Sequence, residues 1–166
     1  MPDRRDEWRE LLERAGCSRR VIRHCDTVCD LALGFFVPGI MDREILLTGA
    51  MLHDIGRGFT HDLTHAQKGA AYCREQGLPD GIVRIVECHT GAGLTADECT
   101  LLRLLPVDCI PRTPEEKVVA NADNLVADAH VIGIGERMMR ACNLPRKVKR
   151  RIFRLWLEME LFRDCA

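Results

Sequence analysis

Apolar residues in this chain recur at spacings of three and four, and no stretch shows the clean alternation of a strand. Val21, Ile22, Cys25, Val28, Cys29 and Ala32, for example, fall on one side of a helix. Stripes of that kind are buried only against one another, so the predicted fold class is all-α, a helical bundle. The 166 residues fit one domain spanning 1–166, enough chain to enclose a hydrophobic core.

Helix boundaries follow from punctuation. A first amphipathic helix is predicted over residues 3–15, stopping at Gly16, and a second begins after Ser18 and ends before Pro38-Gly39. A third runs from about Asp42 to the glycines at 56 and 58. Thr64-His65-Ala66-Gln67 has the form of a capping box opening a fourth, which closes at Gly77. A fifth follows Pro79 and reaches Gly91. Residues 92–112 are less regular, with an apolar run at 101–105 and prolines at 106 and 111. Thr113-Pro114-Glu115-Glu116 is a second capping box, with proline at the first helical position, and its helix is expected to reach about His130. Residues 135–142 and 145–163 complete the series, the last a basic amphipathic helix.

A net charge of -1 offers no global attraction to nucleic acid or membrane, and no apolar run approaches the roughly 20 residues of a bilayer span. The charged N-terminus lacks the apolar stretch of a signal peptide, so a cytoplasmic location is expected. Nine cysteines without a CxxC pair read as small core residues, not as a disulfide framework.

Several polar residues fall where apolar ones belong. His24 lies three residues after Val21 and four before Val28, while His53 and Asp54 follow Ala50, Met51 and Leu52. His89 shares a stripe with Ile85 and Val86, and Asp123 one with Val119 and Val126. Each alone has an ordinary reading as a hydrogen-bonded core residue. Together, each costs about 2–7 kcal/mol if buried without a partner, and a shared metal ion satisfies them at once. Imidazole with carboxylate suits a divalent transition metal such as Fe, Mn, Ni, Co or Zn.

The order His24, then Leu52-His53-Asp54-Ile55-Gly56 after an apolar helix, then Asn121-Ala122-Asp123 resembles the HD superfamily of metal-dependent phosphohydrolases, over roughly residues 18–130. His65-Ala66 with Gly69-Ala70, and His89-Thr90-Gly91, look like the extra histidine motifs of HD enzymes that hydrolyse diadenosine tetraphosphate symmetrically. The resemblance implies an HD-domain bundle with His24, His53, Asp54 and Asp123 on one metal, and His65 and His89 on a second bridged by Asp54. One or two ions are therefore expected. The implied activity is hydrolysis of a phosphoester or phosphoanhydride of a nucleotide or related small molecule by metal-activated water. The family also includes cyclic-phosphate phosphodiesterases of pterin biosynthesis, and a non-catalytic module sensing a metal or nucleotide is the alternative from another class. The segment 92–112 is an insertion relative to the tetraphosphatases and is expected to reshape the pocket entrance.

Asp54 is the candidate to orient the nucleophile. Arg57, just past the helix end, is the candidate phosphate clamp, with a solvated surface arginine as the alternative, and Lys68 is a weaker candidate. His61 reads as a loop residue or a neighbour of substrate, and His130 as a charge partner for a helix C-terminus. Gly133-Ile134-Gly135 lacks a preceding strand and a third glycine, and is set aside. The basic stretch 146–154 reads as a core-packed helix with a solvated face, or as a lip for a polyanion or a partner surface. The expected partner is a small phosphorylated substrate, a nucleotide first; nucleic acid and membrane are not expected, and a homodimer is compatible.

Overall fold

The computed structural model describes residues 4–164 and is helical nearly throughout. Nine helices occur among those residues: α1 (Arg5–Arg14), α2 (Arg19–Leu33), α3 (Arg43–Leu52), α4 (His65–Glu75), α5 (Asp80–Cys88), α6 (Ala96–Leu101), α7 (Pro114–Asn124), α8 (Ile134–Arg140) and α9 (Arg146–Asp164). A turn of 3-10 helix covers Ile55–Gly58, and a small antiparallel ribbon pairs β1 (Val126–Ala127) with β2 (His130–Val131). The all-α expectation holds. The first residue of the expected first helix, position 3, lies outside the described residues.

At the centre are α3 and α7. Leu46, Ala50, Met51 and Leu52 of α3 and Val118, Val119, Ala120 and Ala122 of α7 are fully enclosed. Around them pack α2, which lies along α3 and α7, and α5, which touches both. Gly49 in mid-α3 lets α5 come close, since a Cβ there would sit 2.4 Å from Ile85 Cδ1. The basic helix α9 lays Ile152, Leu155 and Met159 on this core, the packed reading of the tail, and leaves Phe153 and Leu157 outside.

Ser18 caps α2 by accepting from Val21 N, and Asp42 caps α3 by accepting from Glu44 N and Ile45 N. The two expected capping boxes fare differently. Thr64 makes no side-chain cap; Asp62 Oδ1 accepts from Thr64 N at 2.8 Å, and Gln67 bonds the backbone of Leu105 instead. Thr113 does cap α7 through Glu116 N, but the Glu116 carboxylate accepts from Arg112 N, one residue short of closing the box. A complete box occurs where irregular chain was expected, at Thr95 and Glu98 of α6.

The helix opened at Thr113 stops at Asn124, not near His130. The chain turns at Asp128, in the left-handed region at φ 55°, and returns as β2. His130 therefore sits exposed on a strand and cannot partner a helix terminus. The segment 92–112 packs away from the clefts described below: Arg84 donates to Asp108 O and Ile110 O, and Cys109 N to Leu94 O. Contrary to the expectation that it borders the pocket, it lines neither cleft and instead walls a separate small cavity with Ala66, Gln67 and Cys88. The eight described cysteines are free thiols, seven of them buried; Cys165 lies outside the described residues.

Candidate metal centre

Four helix ends deliver the polar set to one place. His53 follows the last residue of α3 and Asp54 follows it; His89 follows α5; His65 opens α4; Asp123 is near the end of α7. His24, in mid-α2, completes the group. The 3-10 turn after Asp54 presses on the start of α4, where a Cβ on Gly56 would lie 1.8 Å from the carbonyl oxygen of His65. That close approach sets His65 against Asp54.

Two donor groups that could hold a metal result: His24, His53 and Asp123, and Asp54, His65 and His89. In the first, Asp123 Oδ1 is 2.9 Å from His24 Nε2 and 3.4 Å from His53 Nε2, and the two imidazole nitrogens are 3.3 Å apart. In the second, Asp54 Oδ1 is 3.2 Å from His65 Nε2 and 3.4 Å from His89 Nε2, with those nitrogens 3.1 Å apart. Asp54 faces both groups: its Oδ2 lies 4.0 Å from the Nε2 atoms of His24 and His53.

The opposite edges of the four rings explain why this set suits a cation. His24 Nδ1 faces Asp128 O, His53 Nδ1 faces Ala50 O, His65 Nδ1 faces Asp62 O and His89 Nδ1 faces Val86 O, all at 2.7–2.8 Å. A carbonyl oxygen only accepts, so the hydrogen-bond network assigns the proton to each Nδ1. Each neutral ring then turns an Nε2 lone pair inward, toward another lone pair or a carboxylate. Such an arrangement needs a positive charge at its centre, and backbone carbonyls orienting the outer nitrogens are what ligating histidines use.

Protons meet part of that need without metal. Burial works against a charged His53, but the hydrogen bond to Asp123 and the charges of Asp54 and Asp123 outweigh it, raising its pKa to about 9. Burial pushes His89 down despite Asp54. Asp54 and Asp123 both stay well below the usual carboxylate range; burial opposes this, and the facing Nε2 atoms of His65 and His89, and of His24 and His53, which donate to the carboxylates wherever a ring is protonated, prevail.

Two clefts flank the set. One, of about 260 Å³, is walled by His65, His89, Asp123 and the arginines 57, 137 and 140. The other, of about 500 Å³, is walled by His24, Asp54, His61, Asp123 and Arg57. Arg57 borders both; its Nε donates to Asp54 Oδ1 at 3.2 Å and its Nη1 to His61 O at 2.7 Å. His61 thus reaches the site through its carbonyl as well as by lining the second cleft. Lys68 is exposed on α4 and lines neither cleft. Sequence reasoning passed over Arg137, Arg140 and Asp128. Asp128 holds His24 through its carbonyl and pairs with Arg20 on α2 through its side chain, a link made only by the ribbon turn.

The family model of the HD domain matches residues 18–128. A tRNA (cytidine(56)-2'-O)-methyltransferase of Picrophilus torridus is 41% identical over 138 residues, covering 83% of this chain and 40% of that protein. A protein of the same name from Thermoplasma volcanium is 42% identical over 118 residues, covering 71% of this chain and 35% of the relative. An uncharacterized protein of Methanocaldococcus jannaschii is 44% identical over 115 residues, 66% of this chain and 68% of its own. The chain thus spans well under half the length of the two methyltransferases. No solved structure matches it. These names lend no support to the tetraphosphatase likeness. The matched span contains both donor groups, and the chain belongs to the HD domain family.

Proposed function

We propose that this chain is a metal-dependent phosphohydrolase acting on a phosphoester or phosphoanhydride of a nucleotide or related small molecule. The observation that carries the reading is the pair of donor groups sharing Asp54, set between clefts walled by arginine. Divalent ions held by His24, His53 and Asp123 and by Asp54, His65 and His89 would supply Lewis acidity for activating water and neutralising phosphoryl charge. Asp54, with one oxygen toward each group, aligns the two. Arg57, held by Asp54 and His61 O, is placed to clamp a phosphoryl oxygen with its planar fork. Lys68, exposed and lining neither cleft, takes no part in this reading.

Methyl transfer, the reaction in the relatives' names, makes no evident use of imidazole and carboxylate donors around a shared carboxylate. Most of each methyltransferase lies beyond the matched region and is free to carry that activity. Those names do favour a second reading, in which the phosphoester belongs to a tRNA.

The test is hydrolysis by protein loaded separately with manganese, iron, nickel and cobalt, against nucleotides, cyclic nucleotides, a chromogenic diester and RNA bearing phosphorylated ends. Turnover that vanishes in Asp54→Asn supports the reading. Tight nucleotide binding without product would replace the hydrolase with a sensor. The same absence with every metal and every substrate, RNA included, would end the hydrolase proposal.

A further inference from the structure

One cation beside the site has no carboxylate hydrogen-bonded to it among the described residues. Arg137, on α8, is half-buried and lines the same cleft as His65, His89 and Asp123. Its Nε donates to Asn124 Oδ1 at 2.9 Å, a neutral acceptor, and no carboxylate pairs with it among the described residues. Burial, the main cause, pulls its pKa below the usual arginine value, partly opposed by the charge of Asp123. Its neighbours differ. Arg140 is bound by two nitrogens to Glu136, and Arg57 is engaged by Asp54.

The aim of Arg137 is set from below. Asn124 is buried, and its amide nitrogen donates to Gly91 O at 2.6 Å and Ala120 O at 2.9 Å. With that nitrogen committed, Oδ1 must face Arg137. The bond fixes the Nε edge of the guanidinium, and no side chain or carbonyl among the described residues bonds its terminal nitrogens. Asn124 directly follows Asp123, so the arginine is tied to the backbone that carries a candidate metal ligand.

A desolvated guanidinium held by one edge, with its other donors free on the wall of a cleft, is a site for a doubly accepting anion. We propose that Arg137 binds a second phosphoryl group of the substrate, next to the one seated at the donor groups. The substrate class is then a molecule with two adjacent charged phosphoryl groups, such as a nucleoside diphosphate or a larger polyphosphate. A monoester with an uncharged remainder would not use it. The assignment rests on the phosphohydrolase reading for which phosphoryl group reacts, but its binding prediction stands apart from turnover.

Methylenediphosphonate, which resists hydrolysis, and orthophosphate are titrated calorimetrically into the manganese-loaded protein at constant free manganese. Arg137→Gln is expected to weaken the diphosphonate by about tenfold or more while leaving orthophosphate within about twofold. Arg112→Gln, with the same loss of charge on an exposed side chain that pairs with Asp108 and lines neither cleft, should change neither by more than about twofold. Arg137→Lys keeps the charge without the fork and should fall between; if the glutamine variant does not fold, this one decides. Equal weakening of both anions, no weakening of either, or failure of the parent protein to prefer the diphosphonate would overturn the proposal. Absence of hydrolysis with the binding difference intact would remove the hydrolase reading and leave the two-phosphate subsite standing.

Discussion

Replacing Gly56 with alanine puts a single methyl group where the fold has no room. The added Cβ would stand 1.8 Å from His65 O and 2.9 Å from Gly69 N, where real Cβ contacts essentially never fall below 3.0 Å. Both neighbours are backbone, so no side chain can swing aside. Relief requires the 3-10 turn and the start of α4 to separate by at least 1.2 Å, the gap between 1.8 and 3.0 Å. Overpacking of this kind costs about 1–3 kcal/mol, and backbone on both sides places it at the upper end. At about 2–4 °C per kcal/mol for a chain of this size, the melting temperature should drop by roughly 6–12 °C. Separation also pulls His65 Nε2 from Asp54 Oδ1, now 3.2 Å apart, so the second donor group should lose metal before the first. Thermal unfolding by circular dichroism, with metal analysis of the same samples, reads both effects. Gly133→Ala, with nothing within 4 Å of the added atom, is the control and should shift the melting point little. A Gly56→Ala protein that melts with its parent and keeps its full metal content would refute the claim that this contact sets the site.

Other perturbations separate the remaining parts of the account. His65→Ala should halve the bound metal while leaving the first group filled, whereas His53→Ala should empty the first, as metal analysis after gel filtration can show. His53 in the metal-free protein has its pKa raised to about 9 from 6.5, so its stabilising contribution is full below pH 6.5 and is lost as pH rises through about 9. Metal must displace that proton, so its apparent affinity should climb about tenfold per pH unit across this window, with about one proton released at pH 7 in paired-buffer calorimetry. Glu98 closes the capping box of α6 and accepts two bonds from Arg151, at 3.0 and 2.7 Å, which, chiefly, lower its pKa to about 2. Glu98→Gln should cost about 1.5–3 kcal/mol in denaturant melts at pH 7. That difference should persist above the ordinary pKa of 4.5 and vanish as pH falls through about 2.

The long helices were legible because their apolar stripes are regular and their stops are glycines and prolines. The errors came where a side chain was claimed by something distant. Gln67 looks like the closing, fourth residue of a capping box, but it pairs with the backbone of Leu105, 38 residues away. The ribbon after α7 has two residues per strand, too few to show alternation. Within the site, His24, His53, Asp54, His89 and Asp123 stood out because charge or imidazole on a buried stripe is costly, His65 only through the family resemblance, and the fold brings all six together. Arg137 carried no such mark: an arginine in a short polar helix is ordinary. Only its bond to Asn124 and the lack of a hydrogen-bonded carboxylate among the described residues distinguish it, and both are tertiary facts.

Crystals grown with manganese, measured at an energy where manganese scatters anomalously, test the central claim most directly. The account predicts two peaks per chain, one among His24, His53 and Asp123 and one among His65, His89 and Asp54, with the Asp54 carboxylate between them. A single peak, or two that leave His65 and His89 bonded only to each other, would contradict it.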